Sequence, residues 1–136
     1  MYVVHLTEQE AFGIIRSQLE RAGLNFGATP PSYVVNYWGD PLSIKLFDDE
    51  RGVGIAYIRA DISDFPFYPH YRQQNELIWG LERRFAEQTT DVIVRVFYNP
   101  GLGQDNETRF TRRSLERNLN QQVREFVEFL RAEGIL

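Results

Sequence analysis

LSIKLFDDERGVGIAYIR, residues 42–59, is the stretch that decides the fold. Apolar residues alternate with other residues on both sides of an acidic break at residues 48–52, with the period of two that is typical of β-strands. The break ends at Gly52, and glycine tolerates the left-handed backbone conformation that such a loop requires. The pattern therefore predicts an antiparallel hairpin.

Folding the two arms around this turn predicts a register and a buried face. Three cross-strand pairs of apolar side chains would then lie on one face of the hairpin. A one-residue shift of the register would move side chains to the opposite face, so burial of the apolar face should fix the register. The second arm is also apolar on its other face, which predicts that it is covered on both sides and central. The predicted pairs are Leu46 with Val53, Ile44 with Ile55, and Leu42 with Tyr57.

Three amphipathic helices and two further strands are predicted around the hairpin. The first helix covers residues 8–22, starts at the capping box formed by Thr7 and Glu10, and stops at Gly23. The second covers residues 71–88. The third covers about residues 114–133, with Gly134 as its C-cap. The strands are expected at residues 33–38 and 91–98 because these segments are rich in β-branched and aromatic residues.

The order of these elements, helix, three strands, helix, strand, helix, predicts an α+β fold. A helix with one apolar stripe buries it by packing on a sheet. The middle helix would join the third strand to a parallel fourth strand through a right-handed crossover. We therefore predict a single layered domain over residues 1–136, with a mixed sheet of about four strands.

Composition narrows the class of function. The chain has 136 residues, a net charge of −4 and no cysteine. The negative charge argues against broad nucleic-acid binding, which needs a basic face, and the lack of cysteine excludes disulfides and thiolate metal sites. No run approaches the roughly 20 apolar residues of a membrane helix. The amino end lacks the features of a secretory signal, so we expect a cytoplasmic protein without membrane partners.

The order of elements over about residues 8–98 resembles the core of the restriction-endonuclease-like nucleases. In that family an Asp near the end of the second strand, with a Glu-x-Lys or Asp-x-Lys on the third, holds Mg²⁺ and polarises the attacking water. Asp48 or Asp49 matches the first position, but the third strand, residues 53–57, has neither acid nor lysine. The resemblance thus implies a nuclease-like fold without its catalytic motif. A metal site at these two residues is the alternative to a solvated acidic loop.

The segment FPFYPHY, residues 65–71, is a candidate partner-binding loop. Its two prolines stiffen it, and exposed aromatic side chains contribute large apolar area at low entropy cost. The alternative is that its phenylalanines fill the core and its tyrosines cover them. The candidate partner-binding residues are Phe65, Phe67, Tyr68, His70 and Tyr71.

Arg109, Arg112 and Arg113, near the predicted start of the last helix, form a candidate anion site. Cations at a helix amino terminus are unfavourable by roughly 0.3–1 kcal/mol, and a bound anion would compensate for this cost. The alternative is neutralisation by acidic residues of the preceding loop. The P-loop and dinucleotide-binding fingerprints are both missing from this sequence.

No catalytic set stands out in the sequence. The two histidines, His5 and His70, are far apart, and there is no Gly-x-Ser-x-Gly elbow. Asp61, Asp64 and His70 carry oxygen and nitrogen ligands, but their spacing matches no metal motif. We therefore predict no cofactor.

These observations favour a non-catalytic domain that binds a protein partner, or a second copy of itself, through the aromatic loop or a sheet edge. In size, negative charge and helix-first order the chain is also similar to the type III secretion chaperones, which bind client segments without chemistry. However, only one strand is predicted after the middle helix, and those proteins have more strands there. The alternatives are a nuclease-like metal-dependent enzyme and a domain that binds an anionic ligand.

Overall fold

The computed structural model describes residues 6–37, 40–58, 71–98 and 112–136. Within these ranges the chain forms three helices and five strands, the predicted α+β arrangement, and no helix is long and apolar enough to cross a membrane. In chain order the elements are α1 (Glu8–Ala22), β1 (Val34–Tyr37), β2 (Asp40–Ser43), β3 (Leu46–Asp48), β4 (Val53–Ile58), α2 (Tyr71–Gln88), β5 (Ile93–Tyr98) and α3 (Arg112–Ala132).

The helix ends follow from their capping residues. The Thr7 hydroxyl accepts the Glu10 N–H at 3.1 Å, and the Glu10 carboxylate accepts the Thr7 N–H at 3.3 Å, so the predicted capping box is present. Gly23, with φ of 120°, ends α1. Gly134, the predicted C-cap of α3, has φ of 75°, and Ile135 after it packs against the core.

β4 is the central strand, also as predicted. It pairs antiparallel with β3 and parallel with β5, and α2 provides the connection between the two parallel strands. All six residues of β4 are buried. Its side chains alternate between two apolar clusters, so the strand forms a wall between them.

The two clusters lie on opposite faces of this three-stranded sheet. The first joins α1 and α3 to one face of β4 and β5. The second joins α2, β1 and β2 to the other face. The buried residues of the second cluster are Val35, Leu42, Ile44, Ala56, Ile58, Ile78, Leu81, Phe85, Val94 and Val96.

The hairpin register differs from the prediction. Leu46 lies opposite Ile55, and Asp48 lies opposite Val53, so the predicted pairs are wrong. The Lys45 N–H donates to the Ile55 carbonyl at 2.8 Å. Lys45 and Leu46 therefore both oppose one residue of β4, which is the two-against-one arrangement of a β-bulge.

The bulge moves the first arm of the hairpin from one cluster to the other. Leu42 and Ile44 pack in the cluster that contains α2, whereas Leu46 packs against the cluster of α1 and α3. The arm consequently divides into two strands, and β2 pairs antiparallel with β1 in a separate two-stranded sheet. The mixed sheet of the described residues has three strands instead of four, and the six residues do not share one face.

Candidate interaction surface

The predicted aromatic loop lies almost entirely outside the described residues. Phe65, Phe67, Tyr68 and His70 fall there, as do Asp61 and Asp64. Tyr71 is the first residue of α2, and its side chain is outside the described part as well. Partner binding through this segment stays a prediction.

The predicted anion-binding arginines are partly described. Arg109 lies outside the described residues, while Arg112 and Arg113 are the exposed first residues of α3. Arg112 pairs with Glu10 of α1 and, at 3.4 Å, with Glu116 one turn further along α3. These exposed pairs contribute little to stability. They give Arg112 carboxylate partners from α1 and α3, and binding of an external anion stays a prediction.

Asp48 is the buried last residue of β3, directly before the hairpin turn. Its carboxylate is 0% exposed and accepts the Asn25 N–H at 2.9 Å, the Arg51 N–H at 3.0 Å and the Arg51 guanidinium at 3.1 Å. Burial alone would raise the pKa of Asp48, but these donors hold it below the usual value. Asp49 is exposed. The expectation of a solvated acidic loop is therefore wrong for Asp48, because nearby backbone donors enclose it.

A metal site at Asp48 and Asp49 is not supported by further ligands in the described ranges. No group of three or more His, Asp or Glu side chains that could hold a metal ion occurs there. The internal N–H donors instead give Asp48 a structural role in joining the turn to the loop after α1.

Side chains of α2 and α3 cover the outer edge of β5. The Glu82 carboxylate accepts the Val96 N–H at 3.0 Å, and the Gln122 amide both accepts from the Tyr98 N–H and donates to the Tyr98 carbonyl, each at 3.2 Å. An uncovered strand edge is a template for pairing with another chain. These contacts occupy backbone groups that an added strand would need.

The outer edge of β1 is covered in a similar way. Arg84 donates to the Asn36 carbonyl at 2.7 Å, and Gln88 donates to the Val34 carbonyl at 2.6 Å. α2 therefore supplies side chains to the edges of both sheets. A partner that added a strand at either place would have to displace them.

Arg95 lies where β5 passes between α2 and α3. Its guanidinium carbon is 4.8 Å from the ring centre of Phe126 and 5.4 Å from that of Phe129, and its Nε is 3.4 Å from the Glu82 carboxylate. The Arg95 side chain keeps 28% of its surface exposed and that of Glu82 keeps 18%. Burial raises the pKa of Glu82, and Arg95 and the Val96 N–H offset part of this effect.

Two exposed aromatic side chains lie on α2 and α3, the helices that pack beside this ion pair. Trp79, one helical turn before Glu82, is 58% exposed, and Phe129 is 38% exposed and stacks on Phe126 with ring centres 6.3 Å apart. Exposed Trp and Phe side chains and a partly exposed Arg on neighbouring elements are typical of protein-binding surfaces. We call this region the edge surface and define it as Trp79, Glu82, Arg95, Gln122 and Phe129.

The sequence carries signals for the edge surface that periodicity alone did not single out. Trp79 falls outside the apolar stripe that Leu77, Ile78, Leu81 and Phe85 form in the sequence of α2. Phe129 likewise falls outside the stripe of α3, which is formed by Leu115, Leu119, Val123, Phe126, Val127 and Leu130. Arg95 interrupts an otherwise apolar strand. Large apolar residues outside the apolar stripe of a helix, and a cation within an otherwise apolar strand, both indicate a functional surface. Their meeting around β5 depends on how the helices pack.

Comparison with family models, with curated proteins and with solved structures found no match. The resemblance to restriction-endonuclease-like nucleases therefore stays a prediction.

Proposed function

We propose that this chain is a non-catalytic protein-interaction domain that binds its partner through the edge surface. The exposure of Trp79 carries the proposal, because this residue is 58% exposed while Ile78 and Leu81 beside it are buried. An indole left in water is a large apolar area, and Trp, Tyr and Arg contribute most of the binding energy in many interfaces.

Binding is proposed to use side chains instead of an added strand. Glu82 and Gln122 occupy backbone groups on the outer edge of β5, and Arg84 and Gln88 occupy carbonyls of β1. The aromatic side chains of the edge surface are not needed to fill either core cluster. They are therefore available to a partner without rearrangement of the sheet.

Site-specific photo-cross-linking tests the proposal. The photoreactive residue p-benzoylphenylalanine is placed at position 79 and, as a matched control, at position 87, which is also exposed on α2. The cells that express each variant are irradiated. We expect a discrete covalent adduct with a second protein from the position 79 variant and none from the position 87 variant. Adding Phe129→Ser should remove this adduct. The same adducts from both positions, or none from either, would contradict the proposal.

A further inference from the structure

We infer that the edge surface recognises an acidic residue of the partner that is flanked by apolar side chains. This inference rests on the proposed function and specifies the chemistry of its partner. Arg95 is the recognising group. Its guanidinium is held against Phe126 and Phe129 and beside Glu82, so its position is set before a partner arrives.

The guanidinium keeps donors for a partner. Its contact with Glu82 is made through Nε at 3.4 Å, which is longer than a charge-assisted hydrogen bond, typically about 2.7–2.9 Å. In the described part of the chain, no hydrogen bond uses the side-chain N–H groups of Arg95. The planar fork of an arginine matches the two oxygens of a carboxylate. A single Asp or Glu of the partner fits this chemistry.

The surroundings of Arg95 select an acidic residue with apolar neighbours. Phe129 of α3 contacts Arg95, Trp79 lies one turn before Glu82 on α2, and both offer exposed rings to aliphatic or aromatic side chains. Glu125 and Glu128 are exposed on α3 near Phe129, and the whole chain has a net charge of −4. A partner segment with many negative charges would be repelled. One acid between apolar residues is therefore the complementary ligand.

Selection from a displayed library of random heptapeptides on the full chain tests this inference. We expect enriched peptides to carry Asp or Glu next to an aromatic or aliphatic residue. Replacing that acid by its amide should weaken binding about tenfold, as expected when a charge-assisted hydrogen bond is lost. No variant of the protein is needed for this comparison, so it is independent of any folding defect.

Variants of Arg95 and Trp79 assign the effect to the edge surface. On Arg95→Gln, the acid and amide peptides should bind with equal affinity. Arg95→Lys keeps the charge but loses the planar fork, and should bind the acid peptide about tenfold more weakly than the unaltered chain. Trp79→Ser should weaken both peptides. Thermal unfolding midpoints establish that each variant is folded.

The outcomes separate this inference from the proposed function. Enriched peptides without acids, no enrichment, or equal affinity for acid and amide peptides on the unaltered chain would overturn the inference. The proposed function would stand if those peptides still required Trp79. Peptides that bind Trp79→Ser as tightly as the unaltered chain would contradict both. Trp79-dependent dimerisation in analytical ultracentrifugation, or preferential binding of a single-stranded oligonucleotide, would replace the acidic segment as the occupant and overturn the inference.

Discussion

At the scale of single residues, Tyr57 has a buried hydroxyl without a hydrogen-bond partner in the described part of the chain. Its ring packs on Phe12 with centres 5.4 Å apart, and burial, together with the charge of Glu8, raises the pKa of the hydroxyl. An unpartnered buried donor costs about 1–3 kcal/mol. We therefore expect Tyr57→Phe to raise the free energy of unfolding by about 1 kcal/mol in urea titrations.

The control is the pH dependence of the difference in free energy of unfolding between Tyr57→Phe and the unaltered chain. The folded pKa of Tyr57 is above its ordinary value of 10.0, so the stability of the unaltered chain should fall as the pH rises above 10. Tyr57→Phe lacks this loss, and its advantage should widen there. A less stable Tyr57→Phe protein at pH 7 would mean that the hydroxyl makes a stabilising bond.

Asp48 should make stability depend on pH in the acid range. Burial would raise its pKa, but N–H donors of Asn25 and Arg51 hold it below 3.8. The ionised Asp48 carboxylate therefore stabilises the folded state fully above pH 3.8, and this stabilisation is lost as the pH falls through the folded pKa. We expect Asp48→Asn to lower the free energy of unfolding by about 2 kcal/mol at pH 7 and by much less at pH 2.

The exposed neighbour Asp49 is the matched control for this experiment. Asp49→Asn should change the free energy of unfolding by less than about 0.5 kcal/mol at either pH, because surface substitutions away from special features are nearly neutral. Urea titrations at the two pH values compare the three proteins. Equal losses for Asp48→Asn at pH 7 and pH 2 would contradict the assigned role of its charge.

At the scale of elements, local patterns predicted the helices and β4 because caps and apolar stripes are encoded within one segment. The first arm of the hairpin was predicted wrongly because the apolar alternation of residues 42–46 is unbroken in the sequence. The bulge at Lys45 depends on pairing with β1 and packing on α2, which are distant in the chain. The burial of Asp48 was not predicted for a similar reason, since its donor Asn25 lies 23 residues away. The edge surface also needs three separate elements to meet.

Gly54 provides a test of the bulge. A Cβ at this position would lie 3.1 Å from Ile44 Cγ2 and 3.3 Å from Val92 Cγ1, because the bulge brings Ile44 over this side of β4. Overpacking of this kind typically costs about 1–3 kcal/mol, so we expect Gly54→Ala to lower the free energy of unfolding by that amount. Adding Ile44→Val removes Ile44 Cδ1, which would lie 3.3 Å from the same Cβ, and should therefore recover part of the loss.

Gly13 in α1 is the matched control for this substitution. A Cβ there would meet nothing within 4 Å. Because alanine is favoured over glycine in a helix interior, Gly13→Ala should raise the free energy of unfolding by about 0.5–1 kcal/mol. A neutral Gly54→Ala would mean that Ile44 does not pack against β4 as described.

At the scale of the whole molecule, β4 is the wall shared by two apolar clusters, and this arrangement makes the helices on its two faces depend on each other. Phe85 of α2 and Phe126 of α3 are fully buried, one in each cluster. Removing packing from either cluster weakens the burial of the same strand. Loss of packing on one face of β4 should therefore destabilise the elements on the other face.

Truncation of one aromatic ring in each cluster tests this dependence. We expect Phe85→Leu and Phe126→Leu each to lower the free energy of unfolding by about 1–2 kcal/mol. In each variant, amide hydrogen exchange measured by mass spectrometry should accelerate in both α2 and α3. Both helices pack on β4, and we expect the two layers to open together. Phe129→Leu, at an exposed position, should leave exchange nearly unchanged. Acceleration confined to the helix that carries the substitution would show that the two faces of β4 open independently.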